Sequence, residues 1–321
     1  VQLAHKRLYE TIKEFGMETV DVDSDNYRDI FNGDKIRKYD YFEKEFFGME
    51  SVINKLMRFL KSAAHKGEES RQVLLLMGPV GAGKSALVEA VKASLEFEEI
   101  LGVHLEGDLC PVCRHRLITD FKGKYENFPV TQSTFSQRGR RGIAVVPPMD
   151  ANSQDVSVLI GTEDISKLDL YPEDDPRVLS LNGAFNVGNR GIVEIEFLHT
   201  MLTATQEKRV PSPGRNDMIY FDGVILSHCN ESEWNRFKSE HTNEAILDRV
   251  LKIEVPYVLE LDQEQKIYEK VIRRSDFNKA HIAPHALKIA SMFSIMSRLK
   301  PSNKCDLLTK LKIYNGEAII E

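Results

Sequence analysis

Long apolar runs are missing from this 321-residue sequence. The longest is Val73–Met77, far short of the roughly 20 residues that a membrane-spanning helix needs, and no signal-peptide pattern opens the chain. The expectation is a cytoplasmic protein with no membrane partner. Cysteine is scarce too: there are four, and only Cys110 and Cys113 stand close together. That excludes a disulfide framework and fits a reducing compartment. Nor is there an excess of positive charge. Lys and Arg number 43 against 49 Asp and Glu, a net charge of −6. Binding a phosphate backbone calls for a basic field, so nucleic acid is not expected as the main partner. Internal repeats and low-complexity segments are absent.

What is present is an ordinary 42% of apolar residues, enough to fill the core of one large domain or two modest ones. The chain opens on Val1 and stops at Glu321 after a charged, helical-looking stretch, which reads as a fragment of something longer. Residues 1–45 carry apolar positions at helical spacing (Leu3, Leu8, Ile12, Phe15) and then an acidic stretch, a helical segment with a linker. Residues 46–256 read as an α/β domain. Within it Val52, Ile53, Leu56 and Leu60 mark an amphipathic helix, and the run up to Met77 reads as a buried strand. The composition shifts between about 95 and 150, with a CxxC pair, the basic run Arg138–Arg141 and Pro147-Pro148, so an insertion is expected there. From 257 to 321 the pattern is helical, with Ile267, Val271, Ile272, Leu287, Met292, Ile295 and Leu299.

The clearest chemical signal is Gly78-Pro79-Val80-Gly81-Ala82-Gly83-Lys84-Ser85. Triphosphate binding needs backbone N–H groups converging on the phosphates, a cation beside them and a hydroxyl for Mg²⁺. Gly78, Gly81 and Gly83 let the backbone come close, Lys84 reaches the β/γ-phosphates, and Ser85 can ligate Mg²⁺ where a helix begins. Pro79, Val80, Ala82 and Ala86 belong to the same nucleotide-contacting stretch. The pattern lies between a strand and a helix, as the motif requires, and ATP with Mg²⁺ is the cofactor pair it implies.

Hydrolysis needs more: an acidic strand end, a polar sensor and an arginine, commonly from a neighbouring subunit. Ile192-Val193-Glu194-Ile195-Glu196 is the candidate acidic strand, with Glu194 and Glu196 as catalytic carboxylates and Glu194 holding Mg²⁺ through water. An edge strand with alternating Glu is the other reading. Val224–Asn230 reads as a buried strand ending in Asn230, either a γ-phosphate sensor or an N-cap for Glu231-Ser232-Glu233. Ile246-Leu247-Asp248-Arg249 resembles the segment that carries the arginine finger in several AAA+ families, which implies that Arg249 acts on ATP bound by an adjacent subunit; an ion pair with Asp248 or another acid is the other reading. Arg298 is a second sensor candidate, or a solvated arginine on a helix face. The order of these candidates is that of an AAA+ domain: a P-loop NTPase with a parallel sheet flanked by helices and a smaller C-terminal helical lid. Such sites are commonly completed between subunits, so a homo-oligomeric ring, a hexamer, is expected.

More specific strings follow. Asp108-Leu109-Cys110-Pro111-Val112-Cys113, Tyr171–Pro176, Leu181–Gly191, Thr203-Ala204-Thr205-Gln206-Glu207 and Thr242–Arg249 together resemble the AAA+ part of the bacterial PrkA family. The resemblance covers essentially the whole chain. It implies a C-terminal region similar to protein kinases, serine protein kinase activity on a protein substrate, and a role in stationary phase, stress or sporulation. No HRD, DFG or kinase-type glycine loop is present here. An ATP-dependent protease of the Lon kind, a protein remodeller and a nucleotide-gated binding module remain as alternatives. The family carries longer segments between Leu95 and Val103 and between Val193 and Leu198 than this chain does.

Cys110 and Cys113 have the spacing that lets two thiolates reach one Zn²⁺, half of a four-ligand site, with His104 or His115 as further donors. A redox pair or two plain thiols are the other readings.

Overall fold

Five runs of aliphatic and β-branched residues pair into one sheet: β1 Val73–Met77, β2 Ile143–Val145, β3 Ile192–Glu194, β4 Val224–Cys229 and β5 Val250–Glu254. Their spatial order is β5-β1-β4-β3-β2. β4 runs parallel to β1, with Leu226 opposite Leu74, and to β3, with Val224 opposite Ile192; β3 and β2 are parallel as well. Parallel sheets are covered on both faces, which explains the unbroken apolar runs Val73–Met77 in β1 and Val224–Leu226 in β4, whereas β5, at the edge of the sheet, carries exposed Lys252 and Glu254. Val73 to Leu76 in β1 and Ile192 and Val193 in β3 are all buried. The computed structural model describes residues 3–23, 28, 33–97, 99–101, 109–130, 132–146, 156–195, 201–214, 217–239 and 244–317.

The stretch expected as an insertion, about 95–150, gives the sheet one of its strands. Ile143 and Ala144 of β2 are buried beside β3, because Gly142 ends the basic turn Arg138–Arg141 and the apolar run Ile143–Val146 that follows it is long enough to pair. β3 in turn lies between β4 and β2, so the edge-strand reading of the Glu194 segment does not hold.

The principal helices are α1 Ala4–Glu14, α2 Glu50–Ala64, α3 Lys84–Leu95, α4 Pro111–Thr119, α5 Glu231–Ser239, α6 Leu261–Arg273, α7 Ala286–Arg298 and α8 Leu307–Tyr314. Their starts are chemically marked. Cys110 caps α4 with Pro111 in its first turn. Asn230 and Glu233 exchange hydrogen bonds at the start of α5, the Glu233 N–H to Asn230 Oδ1 at 2.9 Å and the Asn230 N–H to Glu233 Oε2 at 2.8 Å. That is the reciprocal capping box. Asp306 caps α8 by accepting from the Thr309 N–H.

The chain packs into two units. The first comprises Val1–Thr11, Arg58–Met77 and Ser85–Ile253; the second comprises Ile12–Met57, Gly78–Lys84 and Glu254–Glu321. In the first, Val193, Ile195, Phe185, Phe221, Ile225 and their neighbours form a core around the sheet, with Phe185 and Phe221 edge to face at 5.1 Å. In the second, α6, α7 and α8 meet around Leu261, Ile295, Leu299 and Leu311, and the Leu261 N–H donates to Asn315 Oδ1.

Candidate nucleotide site

The loop after β1 turns sharply before α3 begins at Lys84. Gly81 and Gly83 take φ of 81° and 86°, where a Cβ is strained. Gly78 is required for a different reason: a Cβ there would stand 2.1 Å from the Val255 carbonyl oxygen. Lys84 is buried, and its Nζ donates to the carbonyls of Gly78 and Pro79, both at 2.8 Å. The ammonium is therefore held against the loop's own backbone. Ser85 and Ala86 follow in the first turn of α3, both exposed.

The same unit buttresses the loop from its helical part. The Tyr257 hydroxyl donates to the Val80 carbonyl at 2.9 Å. Over the Tyr257 ring, 5.0 Å from its centroid, lies the Arg298 guanidinium. Arg298 makes a fork to buried Glu264, with two bonds of 2.9 Å, and also donates to the Val258 carbonyl at 3.3 Å. So Arg298 is a half-buried, paired arginine and not a solvated one, and it touches a residue that holds the P-loop. Met49 packs by Gly83.

The first unit holds the remaining candidates. Glu194 ends β3, and both of its oxygens are engaged. Lys92 Nζ stands 2.5 Å from Oε2, and His228 Nε2 stands 3.2 Å from Oε1. Lys92 is fully buried and also pairs with Glu89 at 2.6 Å. Burial works against charge on Glu194, but the hydrogen bonds from His228 and Lys92 outweigh it and hold the carboxyl below its ordinary range. Because β1, β4 and β3 are parallel neighbours, Glu194 and Asn230 leave the sheet at the edge where β1 ends, the edge at which parallel sheets bind ligands. Asn230 has its amide oxygen on the helix cap described above. Arg249 precedes β5; it donates to the Ala245 carbonyl at 2.9 Å, and the Gln206 side-chain amide lies against its guanidinium. Glu196 and His104 lie outside the described residues.

Three side chains at these sites escaped the sequence reading. Lys92 had a signal: it interrupts the buried stripe Leu87, Val88, Val91 and Leu95 of α3, where a lysine needs a partner. His228 sits likewise in an apolar strand. Tyr257 had none.

At the cysteine pair, Cys110 Sγ accepts the Cys113 N–H at 3.3 Å. The Cys113 thiol, the backbone N–H groups and Arg114 together bring the Cys110 thiol down to about 6 against its burial, while the Cys113 thiol is pushed up. Among the described residues no group of three His, Cys, Asp or Glu is placed to hold a metal.

A glycine loop joining a central parallel strand to a helix, with a buried lysine folded onto it, is the architecture of the P-loop nucleotide-binding class. Within that class the model of the PrkA AAA domain matches residues 1–103 and 95–306, and the chain belongs to that family. Among curated relatives, the ATP-dependent protease PrkA of Bacillus subtilis (strain 168) is 35% identical over 363 residues, covering 99% of this chain and 55% of its own length. The serine/threonine kinase YeaG of Escherichia coli (strain K12) is 35% identical over 332 residues, covering 90% and 51%. The chain spans about half the length of the curated relatives it matches. The Bacillus alignment is longer than the 321 residues of this chain, so that relative carries segments this one does not, and the family model breaks at 95–103. Among solved structures, NtrX from Brucella abortus in complex with ATP is similar with a TM-score of 0.45 at 13% identity, covering 84% of this chain and 49% of that one. Its complex with ADP gives 0.41 at 14%, covering 80% and 48%.

Proposed function

We propose that this chain is the ATP-driven module of a PrkA-type protein, binding ATP with Mg²⁺ at Gly78–Ser85 and hydrolysing it. The observation that carries the reading is Lys84, a buried ammonium held on two carbonyls of its own glycine loop. The β- and γ-phosphates compete for that ammonium, and the loop's N–H groups receive their oxygens. Ser85, in the first turn of α3, and Glu194, through water, supply the hard oxygen donors that Mg²⁺ prefers. The ion would neutralise charge that develops on the phosphates. Glu194 stays ionised in this environment and orients the attacking water. Glu196, Asn230, Arg249 and Arg298 are assigned to the same site, Arg249 toward the nucleotide of an adjacent subunit in a ring.

The test separates binding from turnover. Lys84→Ala should lose ATP binding and hydrolysis together, whereas Glu194→Gln should bind ATP and turn it over at least about 100-fold more slowly. A Lys84→Ala protein with wild-type hydrolysis ends the proposal. Native mass with and without ATP reads ring formation. The names of the two relatives favour different uses of the ATP. Casein degradation that requires ATP would support a protease, and transfer of labelled phosphate to a protein serine would support a kinase. Hydrolysis with neither would support a remodeller.

A further inference from the structure

The nucleotide chemistry makes no use of Cys110 and Cys113. Cys110 occupies the N-cap of α4, a nine-residue helix with Pro111 in its first turn. Its sulfur accepts the Cys113 N–H at 3.3 Å, which folds Cys110 Sγ over the turn that carries Cys113. Both residues are half-buried, both are free thiols, and one flank of Cys110 packs on the core around the sheet. The positive end of a helix, N–H donors and the adjacent Arg114 all favour a thiolate at the first sulfur. The second thiol is held protonated beside it.

We infer that Cys110 and Cys113 form a thiol–disulfide exchange site whose substrate is a low-molecular-weight disulfide, with Cys110 as the attacking sulfur and Cys113 as the resolving thiol. The Cys110 thiolate attacks one sulfur of the disulfide; a Cys110–substrate mixed disulfide forms and the first thiolate leaves, taking a proton from solvent. Cys113 then gives up its proton and attacks Cys110 Sγ. The intramolecular disulfide forms, and the second thiol leaves with that proton. Two protein thiols are oxidised and one external disulfide is reduced to two thiols, so electrons and atoms balance. Because the cap bond already folds Cys110 Sγ back over the turn that carries Cys113, closure is a side-chain rotation at the first turn of α4.

The two cysteines elsewhere are internal controls: Cys229, buried in β4, and Cys305, half-buried. Incubating the reduced chain with oxidised glutathione, followed by peptide mass spectrometry, should show a Cys110–Cys113 bridge and release of two glutathione thiols per chain. Cys229 and Cys305 should stay reduced. Cys113→Ser should stop after one release, with glutathione on Cys110, and Cys110→Ser should slow the reaction by about tenfold or more. The inference is overturned if no bridge forms in the wild type. It is equally overturned if glutathione in Cys113→Ser goes to Cys305 as fast as to Cys110, or if the purified chain holds about one zinc per molecule that shields both thiols until a chelator removes it.

Discussion

Lys92 stands on the buried stripe of α3, and its ammonium lies within salt-bridge distance of Glu194 and Glu89. A fully buried lysine is tolerated only with such partners, so Lys92 couples the helix that follows the P-loop to the end of β3. Lys92→Met keeps the volume and removes the charge. Glu194 is then buried with His228 alone; its carboxyl rises from its depressed value, and stability falls by about 3 kcal/mol. The sign of the pH effect follows from the direction of the shift. A depressed carboxyl stabilises above its unfolded value and loses that contribution as pH falls through its folded one, so wild type and variant should converge in urea midpoint on acidification. Tyr257 is the complementary case in the other unit. Tyr257→Phe removes the hydroxyl bond to the Val80 carbonyl and leaves the ring under Arg298. One hydrogen bond is worth about 1 kcal/mol to stability, so urea unfolding should show a loss of about that size, and isothermal titration should show ATP affinity reduced by no more than roughly fivefold.

At the scale of elements, Asn230 shows how far a sequence can be read and where it stops. Asn-Glu-Ser-Glu after an apolar strand is compatible with a sensor and with a cap, because both use the first polar residue past the strand. The reciprocal bonds with Glu233 establish the cap, and they leave the sensor role to be separated by substitution. Asn230→Ala should lower stability by about 1 kcal/mol, read as a drop in Tm, while Asn230→Asp keeps an acceptor for the Glu233 N–H and should hold Tm near wild type. If both variants lose hydrolysis, the amide itself faces the nucleotide; loss in the alanine variant alone traces to the helix start. The P-loop was legible because its glycines, lysine and serine are fixed in spacing, and the sheet because parallel strands must be apolar on both faces. β2 was not, since the basic turn and the CxxC pair before it dominate the local composition. Tyr257 and the Glu264–Arg298 fork were illegible because they join residues far apart in the chain through contacts that no local pattern encodes.

For the molecule as a whole, acid stability depends on a buried imidazole that the nucleotide chemistry does not use. His5 in α1 is 1% exposed and packs edge to face on Phe59. Burial, assisted by Lys208, lowers it to about 3. The unfolded chain takes a proton at His5 below about pH 6.5, while the folded chain refuses it down to about 3. Stability is therefore fully present above pH 6.5 and falls by about 1.4 kcal/mol per pH unit below it. Urea titrations at pH 7.5 and 5 should show a loss of about 2 kcal/mol from this group, and His5→Leu should lose less over the same interval, since the carboxyls that shift downward titrate below this window. The chain crosses between its two units five times, and the short segment Gly78–Lys84 belongs with the helices of the far C-terminal part. A recombination breakpoint near 256 would therefore pair one parent's phosphate loop with another parent's Tyr257 and Arg298. Exchange among relatives should preserve function only when those distant stretches of gene travel together.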